Sequence, residues 1–214
     1  MNETIAETTS DERQTLPELR FRLPGAWQQV RLDDPETARA DVKALIERQV
    51  GRQDERAALR GELRAALTDR LQSAVESGAI ALFVALEIEG LPLSAYYTVY
   101  LPAQPISGAV GTSADAVAGV FETGLRQADP GATVVRVASE ESIALRTHRH
   151  QAVDVPTEEG EPQRQLDTLV VDYWLTVPDT KRVVLVSFAT ALGGIEEIML
   201  DLFDAIIEVS YWVR

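Results

Sequence analysis

Leu166-Asp167-Thr168-Leu169-Val170-Val171-Asp172-Tyr173-Trp174-Leu175-Thr176-Val177, then Pro178-Asp179-Thr180-Lys181, then Arg182-Val183-Val184-Leu185-Val186-Ser187-Phe188-Ala189-Thr190, is the stretch that decides the fold class. Both long runs are rich in β-branched and aromatic residues and are separated by a Pro-Asp turn signal, the pattern of two paired strands. Leu169, Val171, Tyr173 and Leu175 recur at every second position, so they share one face of the first strand. A connection of four residues is far too short for a parallel crossover, so the pair is antiparallel.

Toward the C-terminus, Gly193-Gly194 breaks the strand pattern, and residues 195–209 follow as an amphipathic helix. Ile198, Leu202, Phe203, Ile206 and Ile207 are its expected apolar face. Toward the N-terminus, residues 155–163 form an acidic loop rich in Glu and Pro. Residues 133–137 and 142–148 read as two further strands of a meander. Before them, Thr112-Ser113-Ala114-Asp115 begins a helix with Val117, Val120, Phe121 and Leu125 at helical spacing, closed by Asp129-Pro130-Gly131. Residues 79–88 are apolar on both faces for most of their length, the mark of a central strand. A turn at Glu89-Gly90-Leu91-Pro92 leads into an antiparallel strand over 93–101 with Tyr96, Tyr97, Val99 and Tyr100.

Residues 35–77 are almost entirely helix formers. Asp33-Asp34-Pro35-Glu36 supplies an acidic cap, proline in the first turn and acid beside it. Ala38, Val42, Leu45 and Ile46 form one apolar set; Leu59, Leu63, Leu67, Leu71 and Val75 belong to a second, with Gly51 between them. Eight acids face eight bases here, consistent with solvated i,i+4 pairs. A helical hairpin or one bent helix accounts for this better than a coiled-coil arm, because the apolar positions do not sustain three heptads. Alternating residues 19–23, a Pro24-Gly25 turn and residues 26–30 predict an opening β-hairpin. Residues 1–16 are polar and aperiodic, a mobile tail. The fold class is therefore α+β: a mostly antiparallel sheet flanked by helices in α/β/α layers, with a long charged helical segment near the N-terminus. Residues 17–214 form one domain.

The sequence has 214 residues and a formal charge of −14, with 12 acids against 4 bases from residue 151 onward. Nucleic-acid binding needs a basic surplus, so no nucleic-acid partner is expected. The acidic third suits a basic protein partner instead. There is no cysteine, which removes thiolate catalysis, zinc–thiolate sites and disulfides. Residues 1–20 lack the basic start and apolar core of a signal peptide, and no run approaches the ~20 apolar residues of a membrane span. A cytoplasmic location without membrane insertion is expected.

Arg146-Thr147-His148-Arg149-His150 holds the only two histidines. On a strand His148 and His150 point to one face, so they could share a metal, with Asp154 or Glu158 completing the site. Arg146 and Arg149 beside them would oppose a cation. No Gly-x-Ser-x-Gly elbow or phosphate loop is present, since residues 108–112 lack the P-loop lysine and spacing. No cofactor is expected. The candidate partner contacts are Tyr96, Tyr97, Glu158, Glu159 and Glu161: two tyrosines on opposite faces of one strand, and the acids of the 155–163 loop.

Phe21-Arg22-Leu23-Pro24-Gly25-Ala26-Trp27 resembles the opening of small PsbP-like domains, the fold shared with the Mog family. So does the ending: a strand pair, a helix bearing Leu202-Phe203-Asp204-Ala205-Ile206-Ile207, and terminal Ser210-Tyr211-Trp212, as in actinobacterial members. The resemblance implies an α/β/α adaptor or assembly factor and transfers no catalytic residue. The leading expectation is a non-enzymatic protein-binding module (adaptor, chaperone or immunity-type) acting through an acidic surface, with self-association through the helical segment beside it. The alternative is a small metal-dependent enzyme or sensor using His148 and His150. A third reading places the apolar face of the last helix on lipid.

Overall fold

In the computed structural model, seven strands lie in the order β2-β3-β4-β8-β7-β6-β5, every adjacent pair antiparallel. The structure describes residues 16–32, 34–50, 57–88, 91–102, 106, 111–155 and 164–214. In chain order the elements are β1 (Glu18–Arg20), β2 (Gln28–Val30), α1 (Pro35–Val50), α2 (Ala57–Glu76), β3 (Ala79–Ile88) and β4 (Leu91–Tyr100). Then come α3 (Ala114–Ala128), β5 (Val135–Ala138), β6 (Ile143–Val155), β7 (Arg164–Thr176), β8 (Val183–Thr190), α4 (Glu196–Glu208) and β9 (Tyr211–Val213). The α+β class, with helices on both faces of a large antiparallel sheet, is as the sequence reads.

The deciding strands pair as β7 and β8, with Tyr173 opposite Val186 and Val171 opposite Phe188. Their turn is closed by Thr180, whose backbone N–H and hydroxyl both donate to the Val177 carbonyl, while Asp179 takes φ 61°. A short polar side chain tolerates that left-handed conformation better than a β-branched one. Leu169, Val171, Tyr173, Leu175, Val186 and Phe188 are all fully buried on one face, beneath α4.

α4 buries Met199, Leu200, Phe203, Ile206 and Ile207, and Phe203 stacks on Phe188 at 4.5 Å. Phe203, Ile206 and Ile207 are buried as expected, but Met199 and Leu200 complete the inward face, with Leu202 partly buried beside it and Ile198 pointing outward, 64% exposed. A helix whose apolar residues cover more than half its circumference leaves periodicity alone unable to choose the buried stripe. That stripe is occupied by the core.

The opposite sheet face carries the other helices. α1 and α2 pack on each other and on β2 and β3, with Val30, Ala38, Val42, Leu45, Ile46, Leu71, Leu82 and Val84 as a second core. The 35–77 segment is therefore two helices laid on the sheet and not a projecting arm. Asp34 caps α1 by accepting from the Thr37 and Glu36 amides, and Gly78 ends α2 at φ 76°. Gly51 lies outside the described residues, as does the tail before residue 16. α3 is capped by Ser113, as read from the sequence, and sets Phe121 on Trp174 at 4.7 Å.

The opening hairpin does not form. β1 pairs with β9, placing Leu19 opposite Trp212, whereas β2 joins the edge of the large sheet beside β3. Residues 21–27 are an irregular crossing, bent at Pro24-Gly25, that sends Phe21 and Trp27 onto Tyr97, with ring centroids 5.0 and 5.2 Å away. Alternation specifies a half-buried strand but not its partner, and the true partner lies at the other end of the chain.

Candidate functional site

Side chains alternate along β6, so Arg146, His148 and His150 form one row on the α4 side of the sheet, opposite Tyr173, Val171 and Leu169 of β7. α4 runs antiparallel to that row. Glu196, in its first turn, lies between the two imidazoles: His148 Nε2 is 3.0 Å from one carboxylate oxygen, and His150 Nε2 is 2.8 Å from the other. His150 Nδ1 lies 2.9 Å from Asp167 of β7. Eight residues further along α4, Asp204 accepts from Arg146 and, at 2.6 Å, from the Tyr173 hydroxyl. The spacing fits because eight helical residues advance about 12 Å. From Arg146 to His148 and His150 the strand advances about 7–13 Å.

Both nitrogens of His150 meet carboxylate oxygens, which can only accept, so the ring is held as an imidazolium donating twice. The hydrogen bond to Glu196, and then that to Asp167, raise its pKa, against a small opposing effect of burial. Glu196 is lowered in turn, first by His150. His148 Nδ1 is buried without a partner among the described residues. Gly193 lies against this cluster: a Cβ there would fall 3.0 Å from Asp167 Oδ2 and 3.2 Å from His150 Cε1, so a larger residue would press both side chains a few tenths of an ångström aside.

His148 and His150 do share a face, as read. Arg149 does not belong with them. It lies on the opposite face, 2.5 Å from Asp172, while Arg146 is spent on Asp204. Among the described residues no group of three or more His, Asp or Glu side chains is arranged to hold a metal ion. The Asp154 side chain lies outside the described residues, as do Glu158, Glu159 and Glu161. Glu196, Asp167 and Asp204 were missed by the sequence reading. Their one visible signal was acids placed where β7 and α4 should be apolar.

On the other face the row Thr147–Asp172–Ser187–Thr98 crosses four strands in register. Ser187 donates to Asp172 at 2.5 Å. Asp172 and Ser187, with Tyr100, Arg149 and Leu185, line an open cavity of about 530 Å³ beside the end of α2. Desolvation raises the Tyr100 pKa, and the Asp172 charge adds to that. The two carboxylate oxygens of Asp172 accept from Ser187 and from Arg149, one each, as in a structural network. Of the two candidate tyrosines, Tyr97 is completely buried and stacks on Phe83 at 4.6 Å. Tyr96 is half-buried against the second core, with the Arg70 guanidinium of α2 5.4 Å from its ring centre.

The fold and site define an antiparallel α+β domain whose last helix is clamped to the sheet by charge at two points. No protein-family model, curated protein or solved structure matches the chain.

Proposed function

We propose that the chain is a non-enzymatic protein-binding module, of adaptor, chaperone or immunity type, which presents the outward face of α4 to a basic partner. One observation carries the reading: α4 is apolar on both sides. Beyond its buried stripe, Ile198, Ala205 and Val209 lie on the outside, with Ile198 and Val209 well exposed among the described residues. Large apolar side chains that cluster in solvent mark interaction surfaces. Exposed Glu197, Asp201 and Glu208 border the stripe, and the helix holds five acids and no base. A partner helix with an apolar face edged by Lys and Arg fits that surface.

The histidines support this reading more than the metal-dependent one, because their described contacts are spent on holding α4 in place. Kinship with PsbP-like domains belongs to the same proposal, supported by the layered order and by Phe21 and Trp27 entering the core. Cytoplasmic residence is likewise proposed. It is supported by the absence of cysteine, and among the described residues no helix is long and apolar enough to cross a membrane. The test is a tagged pull-down from the host, comparing wild type with Ile198→Arg at moderate and high salt. A single basic protein, held at moderate salt and lost with high salt or with the variant, is expected. Equal capture by the variant, or a clean monomer that captures nothing, counts against the proposal.

A further inference from the structure

The large sheet ends at β5, and β5 is short. It pairs with residues 143–146 of β6 only, whereas β6 runs on to Val155 with β7 along its other side. The outer edge of residues 147–155 therefore has no backbone partner among the described residues. Strand parity says what that edge offers. At the β5–β6 turn the Ser139 amide donates to the Ser142 carbonyl. Alternation from that bond turns the backbone groups of Ala144 and Arg146 toward β5. By the same alternation His148, His150, Ala152 and Asp154 direct their N–H and C=O groups outward. His150, Gln151 and Ala152 are exposed.

An open row of this kind is a template for another strand, and natural edges are blunted by proline, lysine or a bulge. Residues 147–155 contain no proline or lysine, and the β6–β7 register runs through them without a shift. Arg149 and His150 are bonded within the chain, to Asp172 and to Glu196 and Asp167. The edge is thus left ready to pair.

The backbone selects an extended strand as occupant, and the side chains select which one. When two copies pair about a two-fold axis, an axis at Arg149 or at His150 sets a cation against its own copy, which is destabilising. An axis at Gln151 avoids this and alone lays the whole free stretch against itself. Thr147 then stands opposite Val155, His148 opposite Asp154, Arg149 opposite Val153 and His150 opposite Ala152. Asp154 is the only acid among residues 147–155 of a chain whose net charge is −14, so two copies meet there with little of their mutual repulsion.

We infer that β6 pairs antiparallel with β6 of a second copy of this chain, across a two-fold axis at Gln151, and joins the two sheets into one. This contact does not depend on the partner surface of α4.

The experiment uses the full chain. Sedimentation velocity over a concentration series is expected to show the mass rising to twice that of one chain. Ala152→Pro removes an outward N–H at an edge that otherwise tolerates proline, so it should stay a monomer with an unchanged far-ultraviolet spectrum. The register is read with single cysteines, since the chain has none of its own. Gln151→Cys faces itself in a pair without hydrogen bonds, with Cα atoms about 4.5 Å apart, within disulfide reach. Mild oxidation with diamide should join it into a covalent dimer. Val153→Cys is displaced from its own copy by four positions, about 13 Å, and should not be joined; nor should Gln127→Cys on the exposed side of α3. A monomer at every concentration overturns the inference, as does a dimer that survives Ala152→Pro. Cross-linking at position 127 or 153 as efficient as at 151 overturns it too.

Discussion

Arg146 and Asp204 show how a residue's meaning depends on what the fold places above it. In sequence Arg146 is one of two arginines beside a histidine pair; in the structure it is the half-buried cation that receives Asp204 from α4, which also accepts from the Tyr173 hydroxyl. Removing one partner of such a pair strands the other charge in a poorly hydrated place. Arg146→Met is expected to lower stability by ~3 kcal/mol in urea unfolding. Arg146→Met/Asp204→Leu should recover a good part of that, because the apolar pair leaves no charge behind. A loss in the double variant equal to the sum of the Arg146→Met and Asp204→Leu losses would mean that the two side chains act independently.

His150 makes a pH-dependent contribution whose sign follows from its contacts. Its pKa is raised above 6.5 in the folded chain, chiefly by Glu196, so the stabilisation is complete below the unfolded value and fades as pH rises through the folded one. Glu196 is depressed below 4.5 by the same contact, so the benefit is also lost in strong acid. The melting-temperature gap between wild type and His150→Gln should therefore be widest near about pH 5.5 and shrink steadily above about pH 7. A gap that grows with pH would show that His150 is neutral in the folded chain.

At the scale of elements, the strands and helices of the second half were legible because each has a strong period and chemical punctuation. β7 and β8 are separated by a proline turn, and Ser113 and Asp34 announce their helices as caps. What the period could not give was pairing and facing. β1 alternates properly, yet its hydrogen-bond partner is β9 at the far end of the chain. The apolar residues of α4 cover more than half its circumference, so Ile198 could not be told from Met199 before the sheet was in place. The candidate site divides in the same way. The shared face of His148 and His150 follows from strand geometry alone, whereas Glu196 and Asp204 reach them only through packing.

α1 and α2 are elements of the core as much as of the surface. Leu45 and Ile46 are essentially without exposure against Val30, Leu82 and Val84. Leu45→Ala is expected to cost ~3 kcal/mol. The loss should appear equally in far-ultraviolet ellipticity, which follows the helices, and in the fluorescence of Trp174, which reports the sheet. Separate transitions for the two signals would show that the helical pair unfolds on its own.

For the whole molecule, the outer side of α4 carries exposed Glu197, Asp201 and Glu208 beside Ile198, while its inner side is bonded to the sheet through Glu196 and Asp204. A helix fixed at both ends by charge and along its length by Phe203, Ile206 and Ile207 presents its outer face as a rigid surface. Rigid presentation lowers the ordering cost of association. The most direct test is to place a benzoylphenylalanine photocrosslinker at Ile198 and, as a control, at Gln127 on α3, and to irradiate cells of the host. One basic protein joined to position 198 and absent from position 127 is expected. No adduct at 198, or the same adducts at both positions, would contradict it.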